Sequence, residues 1–234
     1  MLRAITALLL TCALAAHADE ARIRKVVEEK TGAKVEGVQP GPLGLYEVRF
    51  RTSSGVRLLY TDAEATHIFF GKIYEAASDR DLTDERLRKL NAIKFGDLPL
   101  DQAVKIQRGK GTRVMAMFSD PHCPACKQFE QTLQKVNDIT LYVFMFPVIR
   151  PELTAHSKSV WCSPDRGKAW IDLALNGKAP AAAPSCANPV EKNLALGQSL
   201  GVNATPTLVF ANGERVGGSL QLTDLTDLLD QAKR

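Results

Sequence analysis

The sequence predicts an α/β fold class built from two domains, and three patterns along its 234 residues support that prediction. Residues 19–78 combine one amphipathic helix with alternating strands, which is typical of a small α+β module. Residues 79–97 are charged and have a helical pattern. Residues 98–234 show a strand–helix–strand order, which indicates the parallel crossover unit of an α/β domain.

The first 18 residues have the layout of an export signal. Arg3 precedes an apolar run from Ala4 to Ala16, and Ala16-His17-Ala18 is a small-x-small cleavage pattern. The run is shorter than the roughly 20 residues that a membrane span needs. We therefore expect export and cleavage after Ala18, with a retained N-terminal anchor helix as the alternative.

The charge balance excludes two classes of partner. The chain has 30 basic and 26 acidic residues, a net charge of +4, which cleavage would lower by one. This excess is too small to indicate binding to nucleic acid or to an anionic membrane. Beyond the N-terminal run the sequence has no further long apolar stretch. We expect no nucleic-acid partner and no stable membrane insertion.

A helix and about three strands account for residues 19–78. Apolar residues on one side of Ala21–Lys30 predict a helix, and alternation in Leu45–Arg51 predicts a half-buried strand. Val56–Thr61 returns as its partner after a turn, and Thr66–Tyr74 predicts a third strand. A module of this size buries only about 60% of its extended surface, so pairing with a second copy would stabilise it.

Asp79–Lys94 predicts a separate helix within the linking segment. Thr83 suits the N-cap position, and Asp84 and Glu85 then lie in the first turn, where the helix dipole favours acidic side chains. An ordinary amphipathic helix and an exposed helix that connects the two domains both fit this pattern.

Two apolar strands frame a helix in the second domain. Arg113–Phe118 and Leu141–Phe146 are apolar enough to be buried on both faces of a sheet, and Phe129, Leu133 and Val136 mark the helix between them. The remaining predicted elements are helices and loops over 151–200, strand Leu208–Phe210, a hairpin turn at Asn212-Gly213, strand Arg215–Gly217 and helix Leu222–Lys233.

Cys123-Pro124-Ala125-Cys126 lies where the first apolar strand gives way to the helix. Proline suits the first helical position, because its missing N–H would have no partner there. The Cys123 sulfur then lies at the helix N-terminus, where free amide protons and the dipole stabilise a thiolate. Because only a thiolate attacks a disulfide, we expect Cys123 to be the nucleophile and Cys126, one turn along, the resolving thiol.

Two neighbouring residues could influence this pair. His122 could add positive charge beside Cys123. Asp120 suits either a helix cap or a proton carrier for Cys126, and capping is the preferred interpretation.

Cys162 and Cys186 are the other cysteines that remain once Cys12 is removed with the export signal. A structural disulfide between them is the simplest interpretation in an exported chain, and a second redox-active pair is the alternative. A zinc site shared with the first two cysteines would need a second closely spaced pair, whereas these two are 24 positions apart. We therefore expect no metal and no cofactor.

Thr205-Pro206 leads into the strand Leu208–Phe210. Such a proline is usually a trans loop residue. Behind an exported CxxC domain we expect it instead to pack in cis against the active cysteines. The neighbouring backbone would then pair with an extended substrate segment.

Separate segments across residues 19–234 resemble the periplasmic DsbC/DsbG disulfide isomerases, in the same order along the chain. The segments are VQPGP at 38–42, RKLNAIK at 88–94, FSDPHCPACK at 118–127, VWC at 160–162, GKAPAAAPSC at 177–186 and LGQSLGVNATPTLVFANG at 196–213. This agreement is much more specific than a CxxC motif alone.

The resemblance implies a thioredoxin-like catalytic domain with a helical insertion in residues 98–234. A small cystatin-like dimerisation domain in residues 19–78 and a linker helix in residues 79–97 would precede it. The family's architecture is a V-shaped periplasmic homodimer, in which the two catalytic domains face a shared cleft.

The resemblance also implies roles for individual residues. Cys123 and Cys126 would be the catalytic pair, Cys162–Cys186 the structural disulfide, and Pro206 a cis-proline that binds substrate together with Thr205. A membrane reductase of the DsbD type would keep the catalytic pair reduced.

One departure from the family pattern bears on the balance of activities. DsbC-type isomerases commonly carry Gly-Tyr between the cysteines, whereas Pro124-Ala125 is closer to the DsbG and DsbA patterns. The leading hypothesis is a disulfide isomerase and reductase, with chaperone activity, that reshuffles wrong disulfides in misfolded or mis-oxidised exported proteins. A DsbG-like reductase of single oxidised cysteines and a protein that acts mainly as a holdase chaperone are the alternatives.

Overall fold

The computed structural model describes residues 20–52 and 55–233, which fall into two compact units divided between Leu90 and Asn91. The export signal expected in residues 1–18 lies outside the described residues. Among those described, no helix combines the length and the apolar composition that a membrane crossing requires. Each unit has its own hydrophobic core.

The first unit packs a helix against an antiparallel sheet. The described part of helix α1 covers 20–31. Ile23 and Val27 of this helix meet Val48 and Leu59 of the sheet in a buried core. The strands are β1 (Val35–Pro40), β2 (Tyr46–Thr52), β3 (Gly55–Thr61) and β4 (Ile68–Phe69), hydrogen-bonded in that order.

Strand β1 is absent from the sequence prediction, and its composition explains why. Gly37 and Pro40 are both rare inside strands. The sheet accommodates them because β1 lies at its edge and its register shifts between Val35 and Gly37.

The strand predicted over Thr66–Tyr74 is wrong in its length, since only β4 joins the sheet. The chain then turns, and β5 (Tyr74–Glu75) pairs with β6 (Arg80–Asp81) as a separate two-stranded ribbon. Phe69 and Phe70 are exposed. The apolar run therefore has no continuous buried face that could support a longer strand.

Helix α2 covers Leu82–Leu90, which is shorter than the predicted linker helix of residues 79–97. The predicted N-cap is also wrong, because the side chain of Asp81 rather than Thr83 caps the helix. Asp81 Oδ1 accepts the backbone N–H of Asp84 at 2.8 Å. Beyond Leu90 the chain leaves the helical path.

Polar contacts tie α2 to the sheet of the first unit. Thr83 is buried; its hydroxyl lies 2.8 Å from the Tyr60 hydroxyl and accepts the Ile73 N–H at 3.0 Å. Arg86 Nε lies 3.1 Å from Glu47 Oε1 on β2. Helix α2 is therefore part of the first unit, and the interpretation as an exposed connecting helix is wrong.

Five strands form the sheet of the second unit, in the order β11-β10-β8-β9-β7. Strands β8 and β9 run parallel and the other pairs are antiparallel. Helix α3 (Pro124–Leu133) makes the predicted crossover between the parallel strands. The strands are β7 (Val104–Arg108), β8 (Arg113–Ser119), β9 (Ile139–Met145), β10 (Thr207–Phe210) and β11 (Arg215–Gly217).

Both faces of this sheet are buried, as the apolar strands predict. Met115 and Met117 of β8 share one core with side chains of α3, α5 (Arg166–Asn176) and α7 (Leu222–Gln231). Ala116 and Phe118 share the other with residues of segment 93–103 and of α6. The helices inserted between β9 and β10 are α4 (Thr154–Cys162), α5 and α6 (Val190–Ser199).

The first residues of the second unit are hydrogen-bonded to the predicted hairpin turn at Asn212-Gly213. Gly213 has a φ of 89°, and a Cβ there would lie 2.8 Å from the Ile93 carbonyl oxygen, so the turn requires glycine. The Ile93 N–H donates to the Gly213 carbonyl at 2.8 Å. This bond and the burial of Ile93 in the second core explain why the chain is not helical there.

Candidate active site

Cys123 lies at the junction of β8 and α3. Its backbone is extended, with a φ of −81° and a ψ of 123°, and it is the N-cap residue of the helix. Pro124 takes the first helical position, and the Cys123 carbonyl accepts the Lys127 N–H at 3.0 Å. Cys123 therefore lies at the helix end where free N–H groups and the dipole favour negative charge.

The two thiols of the CPAC motif differ in their surroundings. Cys123 Sγ donates to the Thr205 carbonyl oxygen at 3.3 Å. Both thiols are buried, Cys123 with 5% of its surface exposed and Cys126 with 1%. Burial raises the pKa of the Cys126 thiol, and the Ser119 hydroxyl and the Asp120 backbone, which favour the thiolate, offset this only in part. The second thiol is therefore hard to ionise.

The loop before β10 brings a proline to the same place. The Thr205–Pro206 peptide bond is cis, and Pro206 is buried. The Pro206 carbonyl accepts the Gly218 N–H at 2.7 Å, which fastens this loop to the end of β11. The contact between Thr205 and Cys123 places the predicted nucleophile and the predicted cis-proline in one site.

Asp120 does not have the arrangement of a helix cap, which is the role that its sequence position favours. The side chain is fully buried, and its Oδ1 accepts the His122 N–H at 2.7 Å. Its Oδ2 accepts the N–H groups of Val148 and Ile149, both at 2.7 Å. Among the described residues no side chain caps α3. Asp120 joins the turn before Cys123 to the loop after β9, so the interpretation as a helix cap is wrong.

His122 does not supply the positive charge suggested by its position. Its Nε2 lies 3.1 Å from Nδ1 of His156 on α4. Burial and the neighbouring His156 lower the pKa of His122, and the charge of Arg150 lowers it too. The charge of Asp120 raises this pKa but does not outweigh them. The neutral imidazole is therefore favoured beside Cys123. The two histidines are 34 positions apart, so no local pattern could reveal their contact.

Cys162 and Cys186 are joined by a disulfide, with their Cα atoms 5.8 Å apart. The bond links the last residue of α4 to the loop before α6, within the helical insertion. Because Cys162 and Cys186 form this disulfide, they cannot join Cys123 and Cys126 as the ligands of a four-cysteine zinc site. Across residues 20–52 and 55–233, no group of three or more acidic, histidine or cysteine side chains is arranged to hold a metal.

Glu130 is a buried acid that the sequence analysis misses. It lies on α3, four residues after Cys126, and burial raises its pKa to about 7. Trp170 of α5 donates a hydrogen bond to its carboxylate. The available signal was the position of Glu130 directly after Phe129, on the apolar side of the helix.

Two known families match successive parts of the chain. Residues 14–84 match the family described as "Disulfide bond isomerase protein N-terminal domain". Residues 100–233 match the family described as "Thioredoxin-like domain". The two matches fall mainly in the first and the second unit respectively.

Individual relatives extend over much of the chain. The probable thiol:disulfide interchange protein DsbC of Bordetella parapertussis is 42% identical over 194 residues, 83% of this chain and 68% of that protein. The thiol:disulfide interchange protein DsbC of Escherichia coli (strain K12) is 30% identical over 227 residues, 94% of this chain and 91% of that protein. The crystal structure of the disulfide interchange protein from Neisseria gonorrhoeae is 40% identical with a TM-score of 0.56, covering 58% of this chain and 99% of that one.

Proposed function

The chain belongs to the DsbC family of thiol:disulfide interchange proteins, and from that premise we propose that it is an isomerase that reshuffles wrong disulfides in exported proteins. The difference between its two thiols carries this proposal. Both thiols are buried, but Cys123 is the N-cap residue of α3 beside the Thr205 carbonyl, whereas burial makes Cys126 hard to ionise. The exchange needs no cofactor, because the electrons move between sulfur atoms.

The first step is attack of the Cys123 thiolate on a substrate disulfide. A bond forms between the Cys123 sulfur and one substrate sulfur, the substrate S–S bond breaks, and the other substrate sulfur leaves as a thiolate. The helix N-terminus favours the attacking thiolate. The backbone at Thr205 offers hydrogen-bonding groups to an extended substrate segment.

The mixed disulfide can be released in two ways. If a substrate thiolate attacks the substrate sulfur of the mixed disulfide, Cys123 leaves as a thiolate and the substrate has exchanged one disulfide for another. If the Cys126 thiolate attacks the Cys123 sulfur, the substrate leaves reduced and the enzyme is oxidised. Because burial raises the pKa of Cys126, we expect the second route to be the slower one, which would give the substrate time to isomerise.

The cellular setting belongs to the same proposal. We place the enzyme in the periplasm, with the export signal of residues 1–18 removed after Ala18. Residues 19–90, which include α2, form the dimerisation domain, residues 91–97 the link, and residues 98–234 the catalytic domain. The small size of the first unit supports pairing in a homodimer. A DsbD-type membrane reductase returns Cys123 and Cys126 to the dithiol.

Recovery of active ribonuclease from its scrambled, fully oxidised form tests the proposed isomerase. The wild-type protein, prereduced, should restore activity, and Cys123→Ser should not. Cys126→Ser is the matched control, because it removes the resolving thiol of the same motif. It should keep part of the isomerase activity while losing turnover as a reductase. Full activity of Cys123→Ser would contradict the mechanism.

Pro124 favours a second candidate function, a DsbG-like reductase of single oxidised cysteines. The proline follows the first cysteine, as in the DsbG pattern. Turnover on a protein sulfenic acid, compared with turnover on scrambled ribonuclease, separates the two candidates. A reductase of single cysteines should prefer the sulfenic acid, whereas an isomerase should prefer the scrambled disulfides.

Exposed aromatic side chains favour a third activity, that of a holdase chaperone. Phe70 is 67% exposed in the first unit, and Phe69 and Tyr74 are also exposed. Such side chains can bind apolar segments of unfolded chains. Suppression of aggregation should then survive replacement of both Cys123 and Cys126 by serine, and it should decrease when Phe70 is changed to serine.

A further inference from the structure

Val148 and Ile149 form an exposed apolar pair in the loop after β9, which we call the apolar lip. Their side chains are 40% and 50% exposed, whereas the strand before them is buried. In the described part of the second unit, Leu222 is the only other large apolar side chain of similar exposure. Single exposed apolar side chains are ordinary on protein surfaces, whereas adjacent ones give a continuous apolar area that a partner can cover.

The backbone of the apolar lip is firmly held. Asp120 Oδ2 accepts the N–H groups of Val148 and Ile149, both at 2.7 Å, and the Asp120 side chain is fully buried. Hydrogen bonds to a carboxylate are stronger than those between neutral groups. The exposure of the lip is therefore imposed by the fold.

The same aspartate also holds the turn that carries the nucleophile. Asp120 Oδ1 accepts the His122 N–H at 2.7 Å, and its backbone carbonyl accepts the Cys123 N–H at 3.1 Å. One buried residue thus bonds to both the Cys123 turn and the apolar lip. A substrate segment bonded to the Cys123 sulfur extends over the surface around it, and the bonds shared through Asp120 place the backbone of the apolar lip next to the Cys123 turn.

We propose that the apolar lip selects disulfides whose cysteines have apolar neighbours, and that Asp120 is the positioning residue that holds the lip beside Cys123. The inference rests on the proposed exchange reaction at Cys123. The partner is a misfolded exported chain, because apolar residues beside a cysteine are usually buried in a native protein and become accessible when it misfolds. Arg150 and Glu152 follow the lip with opposite charges and are exposed, so they favour no net peptide charge.

Two disulfide-linked peptides that differ only beside the cysteine measure this selectivity, with leucine in one and serine in the other. The wild-type enzyme should have the higher kcat/KM for the leucine peptide. Changing Val148→Ser and Ile149→Ser together should lower the ratio of the two kcat/KM values about tenfold, mainly through KM. Leu222→Ser, an exposed apolar position on α7, is the matched control and should leave the ratio unchanged.

Asp120→Asn tests the positioning role. The amide nitrogen cannot accept a hydrogen bond, so at least one of the three backbone N–H groups at this side chain loses its acceptor. We expect the leucine-to-serine ratio to fall in this variant as it does in the lip variant. A merely structural role would lower turnover of both peptides equally and leave the ratio unchanged, which would overturn this part of the inference.

The outcomes separate the inference from the proposed function. An unchanged ratio in the Val148→Ser/Ile149→Ser protein, or a wild-type ratio near one, would overturn the selectivity of the lip while the exchange reaction stands. Exchange of both peptides by Cys123→Ser at the wild-type rate would instead show that the proposed function itself is wrong.

Discussion

The indole Nε1 of Trp170 donates a 2.6 Å hydrogen bond to Oε1 of Glu130, and both side chains are fully buried. The contact joins α3, which carries the catalytic motif, to α5 of the helical insertion. Trp170 and the charge of Arg108 favour the carboxylate, yet burial outweighs them and raises the pKa of Glu130 to about 7. The other carboxyl oxygen, Oε2, has no hydrogen-bond partner among the described residues.

Glu130→Gln should therefore change how stability depends on pH. The folded state holds the Glu130 proton up to a pKa of about 7, against an ordinary value of 4.5, so wild-type stability falls as pH rises through this range. The loss is on the order of 3 kcal/mol above pH 7. The glutamine variant cannot ionise at this position, so its stability should not fall in this way. Urea unfolding at pH 4 to 8 measures the difference.

The control for this experiment is Asp227→Asn, an exposed acid on α7. Its stability curve should stay parallel to that of the wild type over the same pH range. If the Glu130→Gln curve is also parallel to the wild-type curve, the buried carboxyl does not titrate as inferred.

The two catalytic thiols should react with alkylating agents at different rates. Burial raises the pKa of Cys126, so its reactive thiolate is scarce near neutral pH. In the reduced protein at pH 7.5 we expect iodoacetamide to modify Cys123 at least about tenfold faster than Cys126. Peptide mass spectrometry measures both rates, and the rates should converge in concentrated urea. Equal rates in the native protein would contradict the assignment of roles.

Removal of the Cys162–Cys186 disulfide should lower stability and leave exchange chemistry intact. The bond closes a loop with a sequence separation of 24 residues. In the chain-entropy account, a loop of this length contributes about 3 kcal/mol. Cys162→Ala with Cys186→Ala should show this loss in urea unfolding, measured with Cys123 and Cys126 kept reduced. A proportional loss of isomerase turnover at a temperature where the variant is folded would indicate a second redox-active pair instead.

His156→Gln should raise the pKa of His122. Burial is the main cause of the lowered pKa of His122, and the neighbouring His156 is the second cause. Removing that imidazole leaves burial, Arg150, Asp120 and Glu152 as the influences on the ring. An NMR titration of the His122 ring protons measures the shift. His67→Gln, a change in the first unit, should not affect it; an unaltered pKa in His156→Gln would show that the two rings do not interact.

The sequence predicts strands best where one pattern dominates. The alternation in β2 and the apolar runs of β8 and β9 each have burial to match, so their prediction is confirmed within one or two residues. The sequence prediction does not include β7, although its buried Val104 and Ile106 alternate with exposed residues. Its five residues gain their stability from pairing with β9, a partner that local sequence does not reveal.

The helix predicted over 79–97 shows the opposite error. Its composition suits a helix, and Asn91, a residue that commonly follows a helix end, is too weak a local signal to fix the end at Leu90. The end comes from a long-range hydrogen bond between Ile93 and Gly213, which takes the chain into the second unit. Contacts of that range lie outside what spacing and propensity can indicate.

The same limit applies to the active site. A helix that begins directly after Cys123 follows from local chemistry, since proline and the strand-to-helix transition are adjacent in sequence. The partners of Asp120 and His122 lie about 30 positions away, on the loop after β9 and on α4. Their roles depend on tertiary contacts, which explains why the interpretation of Asp120 as a cap was wrong and why local sequence does not settle whether His122 is charged.

The hydrogen bond between Ile93 and the hairpin turn of its own unit also has an evolutionary consequence. Because both partners of this bond lie within the second unit, the bond itself does not depend on the segment before residue 91. A junction of this kind suits recombination.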